Sequence, residues 1–246
     1  MAATVLIYVL ARSLGGLSLR FSRRDWMLVA LRCLGEVGAA CFFLTALMNM
    51  PLANVMAILQ VLPLTVTLGA AVFFGEPVGW RRMSAILVGF AGMLLIVRPG
   101  PEGFDINAML ALAAVVCVTL RDLVTRRMSS DVPSMTVTLA ASVAVLVFSA
   151  VVSVGVEWQP VDLRLALLLA AASVFIFAGY LLSVMVMRVG DVSFVAPFRY
   201  TSLLWGLLLG WFVFGDWPDP LTLLGASIVV ASGLFTLYRE RALLKA

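Results

Sequence analysis

Histidine is absent from this 246-residue chain. Without it no Ser-His-Asp triad, histidine general base or histidine-ligated metal can be built. Charge is also scarce: Asp, Glu, Lys and Arg make up 12% of the residues, against roughly a quarter in an ordinary soluble domain. So thin a scatter of carboxylates, with no histidine, leaves no dense constellation for an enzyme, and neither a metal nor a cofactor is expected. The three cysteines, Cys33, Cys41 and Cys117, lie in apolar runs without ligand or disulfide spacing and are read as small core residues. No GxxxxGK followed by Ser or Thr occurs, so ATP cannot drive the chain directly. The opening MAATVLIYVL carries no charge and lacks the basic start of a signal peptide.

What remains is apolar. Hydrophobic residues make up 63% of the chain and the mean hydropathy is +1.11. No water-soluble core of this size could hide so much apolar side chain, so the excess faces lipid. The isoelectric point of 9.3 does not point to nucleic acid, because the cations are not gathered on one face. They sit in short segments between apolar runs, as in the loops of a membrane protein.

A membrane span needs about 20 mostly apolar residues. Nine are expected, at 1–19, 26–49, 51–74, 83–97, 106–127, 134–156, 163–187, 191–214 and 221–238. The fourth is short and borrows from its flanks. With the tail RERALLKA in the cytoplasm, eleven Lys and Arg fall inside, and only Arg98 and Arg164 outside. The positive-inside rule therefore predicts a multi-pass inner-membrane protein with a cytoplasmic C-terminus.

Two stretches repeat. GAAVFFGEPVGWRRM ends the third span and GWFVFGDWPDPLTLL ends the eighth, with Gly75-Glu76 and Gly215-Asp216 lying 140 positions apart. Five crossings separate them, an odd number, so the copies point opposite ways across the membrane. LANVMAILQVLP then matches VSFVAPFRYTS, and SAILVGFAGMLLIV matches GASIVVASGLFTLY. This is an inverted-topology repeat, and such repeats mark secondary transporters, whose site lies near the midplane.

The run QVLPLTVTLGAAVFFGE, followed by Gly89 and Gly92, resembles the EamA-type transporters of the drug/metabolite transporter superfamily. The second half offers Gly215-Asp216, then Gly225 and Gly233. The likeness covers nearly the whole chain and rests on the order, repetition and topology of these motifs. It implies an all-α bundle of ten helices in two inverted sets of five, with both termini cytoplasmic. Its members move small organic solutes. Some export amino acids or drugs, and others import vitamins such as riboflavin, or S-adenosylmethionine. Here only four spans precede residue 106, so the family's first helix is missing. Either the true start lies upstream or this is a nine-helix variant. The expected domains are 1–100, a repeat of four helices, and 101–246, a repeat of five.

Polar residues inside the spans are the candidate site. An arginine at midspan costs about 2.5–3.5 kcal/mol on insertion scales and needs a partner, water or a ligand. Arg199 lies near the centre of the eighth span beside Pro197 and Tyr200. Pro197 frees the carbonyl of Ser193 and opens the helix. In the first copy Gln60 takes the place of Arg199, close to Pro63. Paired interrupted helices point to a transporter site, and a guanidinium there favours a carboxylate, a phosphate or a planar ring. The alternative is an arginine held by neighbouring carbonyls.

Arg32 and Glu36 share a face of the second span. Either they only neutralise each other, or Glu36 carries a coupling proton; Arg32 is also a candidate solute contact. Asp122, beside Arg121 and one turn from Arg126, reads as a salt bridge or gate. Trp205 shares a face with Phe194 and Phe198, as an aromatic wall for a flat substrate or as ordinary packing or lipid contact. Gly206 and Gly210 permit close helix approach, as internal packing or as the seam of a homodimer.

The expected function is secondary transport of an amino-acid-like, vitamin-like or nucleotide-like solute by alternating access. A non-transporting scaffold or sensor, or an inactive truncated transporter, is the alternative. The expected partners are the solute and the bilayer, and not nucleic acid.

Overall fold

In hydrocarbon a backbone must satisfy its own polar groups, which a helix does within one segment. The computed structural model describes residues 2–13, 21–75, 78–98, 105–155, 160–189 and 200–244, and no strand occurs among them. The helices are α1 (Ala2–Ser13), α2 (Arg23–Asn49), α3 (Leu52–Leu59), α4 (Leu62–Phe74) and α5 (Trp80–Val97). They continue with α6 (Ile106–Arg127), α7 (Ser134–Val152) and α8 (Leu163–Val189). Last come α9 (Thr201–Leu209), running on as a π-helical turn at Gly210–Phe214, and α10 (Pro220–Leu244). Five described stretches are long and apolar enough to cross a bilayer: α2, Leu52–Phe74, α5, α6 and α7. The fold is that of an all-α, multi-pass membrane protein.

Helix ends follow local chemistry. At α2, Ser22 and Asp25 form a reciprocal cap: the Ser22 hydroxyl donates to Asp25 Oδ2 and the Asp25 N–H donates to Ser22 Oγ. The expected fourth span starts earlier, at Trp80, so it does borrow from its flank. The last helix outruns the expected 221–238 and reaches Leu244, because Arg, Glu, Ala and Leu all favour helix.

The repeated glycines act alike. Gly75 (φ 68°) and Gly215 (φ 73°) both turn left-handed to end their helices. Each donates its N–H four residues back, to Ala71 and Trp211 respectively. This is the αL cap, which a side chain would strain.

The chain divides into two compact units. The first comprises Met1–Val37 and Val124–Gly190. In it α1 packs on α7 and α8, and Val29, Val132 and Val137 form a small core with Phe21, Cys33 and Met128. The second comprises Gly38–Leu123 and Asp191–Ala246. Its core joins Ala57, Ile58, Leu64, Ile86, Val115 and Val229. All three cysteines are free and half-buried, and Cys117 Sγ lies against Gly38. Many large apolar side chains point outward, such as Leu87, Phe175 and Phe212. That exterior suits acyl chains and would be a liability in water.

In the second unit α5 and α10 run antiparallel and cross where Gly92 meets Gly225. At one end Arg98, the αL cap of α5, pairs with Asp219. Asp219 also accepts the N–H groups of Leu221 and Thr222, capping α10 ahead of Pro220. The Thr222 N–H first, and Arg98 next, hold its carboxyl below the ordinary carboxylate range, against the opposing effect of burial. A carboxylate with a depressed folded pKa stabilises the fold at neutral pH, and that contribution is lost as pH falls through the folded value. Asp219→Asn is therefore expected to lower the melting temperature at pH 7 and to narrow its difference from wild type below about pH 4. A difference unchanged across that range would remove Asp219 from the acid response.

Candidate functional site

The span Leu52–Phe74 is cut where the sequence places a proline. Pro63 has no N–H to donate to the Leu59 carbonyl, so the regular ladder fails there. Gln60 and Val61 instead donate three residues back, to Ala57 and Ile58. Pro63 then sits in the first turn of α4, where its missing N–H is harmless. Gln60 thus emerges at the break, 2% exposed. Its Nε2 donates to the Met56 carbonyl at 3.1 Å and to Ser202 Oγ of α9 at 3.0 Å.

Tyr200 opens α9 and is buried. Gln60 and Tyr200 each stand fifteen residues before their left-handed glycine. That register pairs Gln60 with Tyr200, and Arg199 falls one residue earlier. Tyr200 packs against Val230 and lies directly on Gly233, where any side chain would overlap its hydroxyl. Pro197 and Arg199 lie outside the described residues, as do Phe194 and Phe198.

Trp205 does not join this group. It is 63% exposed, whereas Leu203 and Gly206 beside it are buried. Gly206 faces Met56 and Gly210 faces Ala53 of α3, so the glycine step serves internal packing. That face turns Trp205 away, since successive helical residues are offset by about 100°.

A second polar group lies in the first unit. Arg32 and Glu36, 3% and 6% exposed, approach to 3.7 Å. Arg32 Nη1 also donates to Thr125 Oγ1 at 2.9 Å. Nearby on the chain, Asp25 accepts the Ser129 N–H at 3.2 Å, tying the α6–α7 loop to the start of α2. On α6 in the second unit, Arg121 Nε donates to the buried Asp122 at 3.1 Å. One turn away the Thr119 and Thr65 hydroxyls share a 2.6 Å bond.

Thr125, Ser202 and Thr119 are the residues that sequence reading missed. Their signal is a polar residue every third position along α6, at Thr119, Asp122 and Thr125, all buried. Ser202 had no comparable signal, because its importance depends on Gln60, 142 positions away. Among the described residues no group of three or more acidic or cysteine side chains is placed to hold a metal.

A buried glutamine at a broken helix and buried charged pairs, set in apolar helices, are what a membrane transporter carries. The profile of the EamA-like transporter family matches residues 1–98 and 106–238, and the chain belongs to that family. It is 29% identical over 219 residues to the riboflavin transporter of Vibrio cholerae, a match covering 89% of this chain and 73% of that protein. It is 25% identical over 183 residues to an S-adenosylmethionine uptake transporter of Rickettsia bellii, covering 73% of this chain and 62% of that protein. A pseudopaline exporter of Pseudomonas aeruginosa is 27% identical, with 93% and 80% covered. One crystal structure superposes with a TM-score of 0.65 at 21% identity, over 96% of this chain and 85% of the other, a likeness of fold. These relatives are named as transporters rather than enzymes, and the chain is a small-metabolite transporter.

Proposed function

We propose that this protein moves its solute by alternating access, the inverted repeats 1–100 and 101–246 rocking about a central site. The observation that carries this reading is the Gln60–Ser202 bond, which ties the buried Gln60, at the break in Leu52–Phe74, to α9. Gln60 and Arg199 contact the solute, with Tyr200 beside them at the break. Arg32 provides a further cation, and Glu36 and the Arg121–Asp122 pair act in coupling or gating. The C-terminus is cytoplasmic and the host membrane is the inner one. A midspan guanidinium favours a solute with a carboxylate, a phosphate or a planar ring, which keeps amino-acid-like, vitamin-like and nucleotide-like solutes in view. Riboflavin and S-adenosylmethionine, named for relatives, are the first to assay.

The test is flux into liposomes, with and without a proton gradient. A hydrogen bond to a charged group contributes about 1.5–3 kcal/mol, so the Arg199→Ala, Gln60→Ala double variant is expected to lose at least about tenfold in transport. Unchanged flux from folded protein would remove both residues from the site.

A further inference from the structure

We propose that the α5–α10 pair binds an anionic phospholipid of the cytoplasmic leaflet, with its acyl chain in the groove between the helices and its phosphate at Arg81. The groove measures about 350 Å³ and is lined by Ser84, Ala85 and Val88 of α5 with Ile228, Ala231, Ser232 and Phe235 of α10. It is mainly apolar, with Ser84 and Ser232 its two polar side chains, and lies at the surface, where Val88 is 53% and Phe235 44% exposed. Such a surface suits a hydrocarbon chain entering from the bilayer.

Charge identifies the headgroup. Arg81 precedes Ser84 and Ala85 by three and four residues, so it shares their helix face one turn toward the N-terminus. The Ser84 hydroxyl donates to the Arg81 carbonyl at 2.9 Å, setting a polar group where groove meets cation. Arg81 is exposed, with its guanidinium 5.4 Å from the Trp80 ring centroid, and Trp80 is itself 75% exposed. An exposed tryptophan beside arginine is the composition of a membrane interface.

The two ends of the helix pair differ. Arg98, at the far end, is matched by Asp219. Among the described residues no carboxylate pairs with Arg81, and Arg82 follows it. Glu or Asp is also absent from the first turn of α5. A lipid phosphate supplies an anion for Arg81, and basic sites between helices on the cytoplasmic side recognise such headgroups. A free phosphate would leave the groove unused. The leaflet assignment rests on the orientation proposed above, whereas the binding itself does not.

Native mass spectrometry of the full chain from nanodiscs of mixed dioleoylphosphatidylglycerol and dioleoylphosphatidylcholine tests this without a transport substrate. One arginine at a membrane surface favours an anionic lipid by about fivefold. Wild type should retain the glycerol lipid over the choline lipid by roughly that ratio, and Arg81→Lys should keep most of it. Arg81→Gln should bring the ratio close to one, and Ala231→Leu, which fills the groove at an exposed position, should cut retention of the glycerol lipid. Equal retention by wild type, or a preference that survives Arg81→Gln, would overturn the site. Full competition by soluble glycerol phosphate would show that the chain contributes nothing and would overturn the lipid as occupant.

Discussion

Glu36→Ala is expected to destabilise the folded chain by about 3–5 kcal/mol, the effect of stripping a buried guanidinium of its carboxylate. Arg32 and Glu36 are both almost fully buried and lie one turn apart on α2. The Thr125 hydroxyl would remain on Arg32, but a neutral acceptor cannot replace a charge in so apolar a setting. Removing both charges should be far milder than removing one, because well-packed apolar residues often replace a buried ion pair at little cost. The Arg32→Met, Glu36→Met variant is therefore expected to unfold much nearer to wild type. Unfolding midpoints in a graded SDS and dodecyl maltoside titration measure both. Should Glu36→Ala unfold like wild type, the pair is hydrated rather than buried. Glu36→Gln separates structure from coupling: if flux loses its dependence on a proton gradient while the unfolding midpoint holds, Glu36 carries the proton.

The second large effect falls at the crossing of α5 and α10. A Cβ on Gly92 would stand 2.9 Å from the Gly225 carbonyl oxygen and 2.8 Å from Ile228 Cγ2, and one on Gly225 would stand 2.5 Å from the Gly92 oxygen. Overpacking usually costs about 1–3 kcal/mol, when side chains can give way. Here the obstacle is backbone, so a whole helix must move. Gly92→Leu and Gly225→Leu are each expected to reach or exceed the top of that range, and to lower the yield of monodisperse protein. Gly75→Ala is the contrast. Nothing lies within 4 Å of its would-be Cβ, and only the left-handed φ of 68° opposes the change, at about 1–2 kcal/mol. Thermal unfolding followed by gel filtration ranks the three. If Gly92→Leu proved no worse than Gly75→Ala, the helices would not meet at these glycines.

Much of the fold was legible because hydrocarbon imposes a strict condition on a backbone. Apolar runs bounded by charge became helices, and the boundaries moved where propensity allowed, as when α10 continued through RERALL to Leu244. The repeated Phe-Gly-acid element was legible too, since glycine is the residue that ends a helix left-handed without strain, and both copies do so. Pro63 announced its break, and the structure put Gln60 at it. The site was legible only in part. Arg32 and Glu36 could be paired from spacing alone, because one turn of helix brings them together wherever the helix sits. Thr125 and Ser202 could not be found, because each gains its role from a residue far away in the chain. Trp205 could not be decided between solute wall and lipid contact for the same reason: helical spacing says which residues share a face, but not which way that face turns.

Among the described segments, the sequence by itself therefore determined which are helices, where glycine and proline end or break them and which polar residues lie within them. Those outcomes depend on local sterics, backbone hydrogen bonding and the absence of water. Only the tertiary structure decided that Gly92 meets Gly225, that Gln60 finds Ser202 and that Trp205 turns away. Each of these depends on the rotation and depth of one helix against another, and side-chain packing between distant segments sets both.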